Sequence, residues 1–229
     1  VRRPPPREPQ RPTRRLLSDV LAVGTPYPLV ITGGYAVQAH GLVDRLSQDL
    51  DVATENPAPM ADIAEHLRRA LTERGWRVTM IGVDPLAARL VAAAPDTGED
   101  CEVDVLKENL WAAPLTTEYG PVLALDDVIG TKVRALADRG AVRDLIDVHA
   151  ASVHHTATEL ERLGERHGRD EFRRQDLRDR LAGAEWYDDE EFASYGLTGE
   201  QITELRAWAQ QWTRGGSGPV RYCRLAGTR

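Results

Sequence analysis

Two short stretches in which acids alternate with apolar residues carry the strongest chemical signal in the chain. They are Gln48-Asp49-Leu50-Asp51-Val52 and Cys101-Glu102-Val103-Asp104-Val105. Side chains two apart on a strand share a face, so each stretch, read as a strand, buries its apolar residues on one side and presents acids on the other. Asp49 and Asp51 side by side repel one another unless a cation lies between them. A buried core has no use for that arrangement. Mg2+ or Mn2+ does, because Mg2+ takes oxygen ligands, with one or two carboxylates and substrate phosphates filling its shell. If both stretches belong to one sheet, Asp104 joins Asp49 and Asp51, and three carboxylates can hold two metal ions about 3.5–4 Å apart. Glu102 competes for the third place, and Asp104 is preferred because valines flank it on both sides. A lone Asp-x-Asp is commonly just a solvent-facing strand; the second acidic strand argues against that here.

A turn of a different kind precedes the first acidic stretch. Thr32-Gly33-Gly34 stands between the apolar Leu29-Val30-Ile31 and a helical stretch, Tyr35 to His40. Glycines allow close approach to a ligand and leave outward-pointing N–H groups, and a following helix start favours an anion. A triphosphate tail against this turn would bring its α-phosphate near the metals.

The elements that must position these residues follow from periodicity. Leu29 to Ile31 reads as a buried strand, Gln48 to Ala53 as a half-buried one, and Ala61 to Glu73 as a helix with an apolar stripe of Ile63, Leu67, Ala70 and Leu71. Trp76 to Ile81, Ala88 to Ala93 and Glu102 to Leu106 read as further strands. After Pro121 the pattern turns helical: Asp127 to Asp138, Ala141 to Ala151, Thr158 to Arg166, Glu171 to Leu181 and Thr198 to Gln211, the last with Thr198 and Gln201 placed for a capping box. The expected plan is an α/β (α+β) chain: a disordered Arg/Pro-rich arm over 1–14, an α/β domain over 15–120, a helical domain over 121–213 and a flexible tail over 214–229. Leu16 to Val23 is expected as a short helix. His154-His155 reads as a solvated helix end, the acidic run Asp188 to Glu191 as a solvated loop or helix start, and Trp208 with Trp212 as core.

The ordered motifs resemble a known family. Gly33-Gly34 followed by Arg45-Leu46-Ser47-Gln48-Asp49-Leu50-Asp51 is similar to the G-G…R-x-S-x-D-h-D signature of AbiEii/AbiGii-type nucleotidyltransferases, a group of toxin–antitoxin toxins that includes the MenT-like proteins. Lys132-Val133-Arg134-Ala135-Leu136 and Arg143-Asp144-Leu145-Ile146-Asp147 are similar to its K-x-x-A-L…R-D-x-x-D segment. The resemblance spans roughly Leu29 to His149. It implies the fold of DNA polymerase beta-like nucleotidyltransferases, a mixed sheet with flanking helices, followed here by a mostly helical half. It also implies transfer of a nucleoside monophosphate from an NTP to an acceptor hydroxyl. By the same resemblance the acceptor is RNA, the 3′ end of tRNA, and an antitoxin protein is the partner. Asp49, Asp51, Asp104 and Lys132 would be catalytic, the three aspartates as metal ligands. Gly33, Gly34, Arg45, Ser47, Lys132, Arg143, Asp144 and Asp147 would serve the nucleotide. Tyr35 departs from the family pattern, where a small residue often follows the glycines, and implies a narrower phosphate turn.

Composition bounds the alternatives. A net charge of −7 excludes binding nucleic acid by bulk charge, although Arg2, Arg3, Arg7, Arg11, Arg14 and Arg15 crowd the first residues and read either as a solvated arm or as a phosphate-seeking one. No apolar run approaches the roughly 18 residues that span a bilayer, and no secretory signal is visible. Cys101 and Cys223 lie far apart and fit a reduced, cytoplasmic setting. Lys107 and Lys132 are the only lysines in a chain otherwise reliant on arginine. Two rivals remain at this level: an enzyme that modifies a small molecule such as an antibiotic, and an inactive nucleotide- or RNA-binding module.

Overall fold

A computed structural model of the chain describes residues 11–45, 47, 49–168 and 171–215. They fall into two compact units, Val1–Thr131 and Lys132–Arg229.

Within the first unit the strands are β1 (Val30–Ile31), β2 (Leu50–Thr54), β3 (Arg77–Val83), β4 (Ala87–Ala93), β5 (Asp100–Lys107), β6 (Leu115–Thr117) and β7 (Gly120–Val122). They form a 7-stranded sheet in the order β3-β4-β5-β2-β1-β7-β6. β2 is parallel to β5 and β1 to β7, and the remaining neighbours are antiparallel. The sheet is mixed, as expected. A parallel pair needs a long crossover; here the chain returns from β2 to β5 through α3 (Met60–Glu73) and the β3–β4 hairpin.

The alternation that suggested strands is present as burial. Val103 and Val105 are buried, while Glu102 and Asp104 are half-buried on the opposite face; in β4, Ala88, Leu90 and Ala92 are buried and Arg89 is exposed. α3 presents Met60, Ile63, Ala64, Leu67 and Leu71 as its buried stripe and packs on β3 and β4. Lys107, at the end of β5, donates from Nζ to the backbone carbonyls of Asn56 and of Ala58, the latter at 2.6 Å.

Several expectations need correction. The first helix, α1, spans Arg11–Val23, so residues 11–14 are helical and not part of an arm; residues 1–10 lie outside the described residues. The helix buries an apolar face of Leu16, Leu17, Val20 and Val23, and its arginines have partners on neighbouring elements. Arg14 reaches Glu118 at 3.5 Å and Arg15 reaches Asp96 at 3.4 Å, while Arg15 also lies over the Trp76 ring, whose Nε1–H donates to Asp19 at 2.8 Å. Those two arginines thus have acidic partners on the sheet unit. The expected boundary at residue 120 cuts through β7, where Val122 pairs with Ile31; β6 and β7 are too short to show a period in sequence. β2 begins at Leu50, leaving Asp49 in the bend before it, and Gln48 lies outside the described residues.

The second unit is helical: the end of α4 (Leu125–Arg139), then α5 (Val142–Ala151), α6 (Ala157–Gly168), α7 (Arg174–Ala182), α8 (Asp189–Ser194) and α9 (Gly199–Thr213). α7 starts at Arg174, three residues later than expected, and the acidic run at Asp188 to Glu191 opens α8, the second of its two expected readings. α9 carries the full Thr198/Gln201 capping box. Its Trp208 and Trp212 are buried core residues, with ring centroids 5.4 Å apart. Of the expected tail, residues 216–229 lie outside the described residues. No helix among the described residues is long and apolar enough to cross a membrane.

Candidate active site

The acidic strands meet in register. Asp51 of β2 is the direct partner of Asp104 of β5, and Asp104 is in turn the partner of Arg89 of β4. Because partners directly opposite share a face, the row Arg89–Asp104–Asp51 runs across the sheet on the side opposite Val103, Val105, Leu50 and Val52. The row continues past Asp51: its backbone carbonyl accepts from the Thr32 N–H at 2.9 Å.

That hydrogen bond brings the glycine turn against the acids. α2 (Gly33–Ala39) starts directly after β1, with Gly33 at φ 59°. A Cβ on Gly33 would fall 1.8 Å from Asp51 Oδ2, and one on Gly34 would fall 2.5 Å from Ser47 Oγ. The two glycines are therefore the surface on which Asp51 and Ser47 rest. Ser47 donates to the Asp49 carbonyl at 3.0 Å, tying the loop into the bend before β2, and Arg45 lies half-buried in the same loop. Tyr35 does not narrow this turn in the way its position suggested. It is 7% exposed, turned inward with Thr13 as a hydrogen-bond partner, and burial pushes its hydroxyl up to about 12. Burial, reinforced by the nearby Asp49 charge, likewise pushes the Cys101 thiol up to about 11.

Asp104 faces a cation already. Arg89 donates through Nε and Nη2 to its two carboxylate oxygens, both at 2.7 Å, and through Nη1 lies 3.3 Å from Glu102 Oε2. These contacts raise the Arg89 pKa further, chiefly through the hydrogen bonds to Asp104. Nothing in the sequence motifs drew attention to Arg89; its signal is a single charge inside the apolar strand Ala87-Ala88-Arg89-Leu90-Val91. Among the described residues no group of three or more His, Cys, Asp or Glu side chains is arranged to hold a metal ion. The three aspartates thus share a region of backbone without closing into a cage. The chemistry of the donor set still fits a hard divalent ion: Asp51 and Asp104 stand on directly paired backbone positions, and a guanidinium already occupies Asp104 as a stand-in cation.

In the helical unit a second cluster forms around the lysine that the sequence singled out. Lys132 Nζ lies 3.0 Å from Asp147 and 3.4 Å from Asp144, and Arg139 grips Asp144 through Nε at 2.7 Å and Nη2 at 3.1 Å. Asp144 and Asp147 come together because they are three apart on α5; both are buried, at 0% and 2% exposure, and Lys132 is at 8%. Burial opposes the charge on Asp144, but Arg139 and Lys132 outweigh it and hold its carboxyl below the usual range. Lys132 is a close partner of Asp147, and Arg143 contributes to the field on Asp144.

With this geometry in place, comparison with known proteins is decisive about kind. Residues 15–213 match the family described as nucleotidyl transferase AbiEii toxin, type IV TA system. The chain belongs to the AbiEii toxin family. It is a nucleotidyltransferase. Comparison with curated proteins gives no match. Among solved structures, the AbiEii chain is similar to MenT4, a nucleotidyltransferase toxin of Mycobacterium tuberculosis, with a TM-score of 0.53 and 16% identity over 87% of this chain and 86% of that one. It is also similar to JHP933 of Helicobacter pylori, with a TM-score of 0.52 and 17% identity over 88% and 90% of the two chains. Another Helicobacter pylori structure, described as that of a nucleotidyltransferase, gives 0.55 and 16% over 89% and 95%. At such identities these likenesses speak for the shared fold, and the family match carries the activity.

Proposed function

We propose that this AbiEii protein moves a nucleoside monophosphate from an NTP to a hydroxyl at the 3′ end of RNA, with tRNA as the acceptor, and does so with a divalent cation held by Asp51 and Asp104 and completed by Asp49. The observation that carries the reading is the register pairing of Asp51 with Asp104 beside the Gly33-Gly34 turn. In this reaction the acceptor oxygen forms a bond to the α-phosphorus as the bond to the leaving pyrophosphate breaks. A bound Mg2+ or Mn2+ supplies Lewis acidity at the phosphoryl oxygens.

The chain's own residues do the rest by placement and charge. Gly33 and Gly34 present backbone N–H groups to the phosphate tail, and Ser47 and Arg45 add donors from the adjoining loop. Lys132 neutralises triphosphate charge, kept in place by Asp144 and Asp147, while Arg143 adds positive field beside them. The description of the family as toxins of a toxin–antitoxin system supports an antitoxin as the cellular counterpart and the cytoplasm as the place of action.

The test is incubation of the pure protein with labelled NTPs, Mg2+ and total tRNA, beside Asp51→Ala. Label on tRNA in the wild type alone is the expected result. Label on an aminoglycoside or similar small acceptor instead of RNA would overturn the RNA part of the reading, and equal labelling by Asp51→Ala would overturn the site.

A further inference from the structure

Arg89 presents a problem that the motif set does not address. Its guanidinium takes both oxygens of Asp104, each at 2.7 Å, in the two-pronged geometry that makes Arg–carboxylate pairs both strong and directional. A divalent ion on the same oxygens would meet a fixed positive charge and have to displace two charge-assisted hydrogen bonds. We propose that Arg89 and a divalent cation are alternative partners of Asp104, so that Arg89 is a positioning residue which must release this carboxylate before the cation site can close. The inference rests on the reading that Asp51 and Asp104 take the cation.

Two further features make the exchange feasible within the fold. The guanidinium has a second acceptor ready: Glu102, two residues back along β5, already lies 3.3 Å from Arg89 Nη1. Glu102 is then the residue that receives Arg89, which accounts for an acid beside the site without making it a ligand. There is also room for the movement. The partner of Arg89 on the outer strand β3 is Gly82, and a Cβ there would meet nothing within 4 Å. The Arg89 side chain is 49% exposed, against 18% for Asp104, so the cation that leaves moves toward water and the carboxylate that stays is the sheltered one.

The arrangement links the demand for metal to one side chain, and direct measurement of metal binding tests it. Mn2+ is titrated into the full chain and the free ion is followed by electron paramagnetic resonance. Arg89→Gln is expected to bind Mn2+ about tenfold more tightly than the wild type. Arg89→Lys retains the charge but not the two-pronged contact, and it too should bind more tightly than the wild type. If Arg89→Lys binds as the wild type does while Arg89→Gln gains, only the general field of the charge matters and the proposal falls. Equal affinity in all three proteins also overturns it. Asp51→Ala separates this failure from that of the underlying reading. Loss of Mn2+ binding in Asp51→Ala with unchanged Arg89 variants removes only the exchange at Asp104. Unchanged binding in Asp51→Ala removes the carboxylate site and the exchange together.

Discussion

Gly33 and Asp51 are fitted to each other: a methyl group on Gly33 would sit 1.8 Å from Asp51 Oδ2. Gly33 also holds a φ of 59°, a left-handed conformation that disfavours any residue with a Cβ. Gly33→Ala is therefore expected to lose stability by roughly 1–2 kcal/mol from backbone strain alone. It should also lose nucleotidyl transfer by a larger factor than that destabilisation explains, because Asp51 must move. Urea unfolding and initial rates on the same preparation check both. A variant with full activity would show that the carboxylate position is not critical.

Asp51→Asn and Asp104→Asn remove charge and keep shape. Each should lower the transfer rate by at least about a hundredfold, as expected for loss of a group acting on developing charge, while thermal unfolding stays close to wild type. Retention of most of the rate in either variant would take that residue out of the site.

Lys132 pairs with two buried carboxylates and is proposed to serve the nucleotide as well, and a double variant separates the two roles. Lys132→Met takes a close cation away from two buried carboxylates and should destabilise the helical unit by about 3–5 kcal/mol. Adding Asp147→Asn removes one of the two buried negative charges and should recover much of the stability. Activity should not return with it. Recovery of both, read by calorimetry and by NTP turnover, would assign Lys132 a structural role alone.

The stability of the helical unit should depend on pH through His149. Burial lowers its pKa from 6.5 to about 4, and its ring lies 4.9 Å from that of Trp208. The unfolded chain takes up the proton first. Stability is then fully present above about pH 6.5 and falls as pH drops toward 4, by at most about 3 kcal/mol. His149→Phe keeps an aromatic ring against Trp208 and should flatten the slope between pH 7 and pH 5 in urea unfolding. An unchanged slope would assign the acid sensitivity to other groups.

How much of this was legible in the sequence depended on the period of each signal. The acids of β2 and β5 were readable because alternation with valine and leucine fixes a face, but that Asp51 stands directly opposite Asp104 is given only by the pairing of the two strands. Arg89 was not readable, since its importance lies in the pairing of β4 with β5, and pairing between strands leaves no mark on either one alone. β6 and β7 escaped for want of length. α1 was misjudged at its start because an arginine-rich run looks solvated until Glu118 and Asp96 are brought beside it by the fold. Lys132 drew attention by its rarity and by resemblance, and the structure adds that it lies against two buried carboxylates; the grip of Arg139 on Asp144 needed the turn between α4 and α5 to be seen.

The chain contains two lysines, and both ammonium groups are occupied, Lys107 by the carbonyls of Asn56 and Ala58 and Lys132 by Asp147 and Asp144. An acylating reagent that attacks amines will find neither of these side chains readily reactive on the folded protein. Its slow reaction at Lys132 becomes a clock for the opening of the α4–α5 cluster, readable by mass spectrometry with no label or engineered probe.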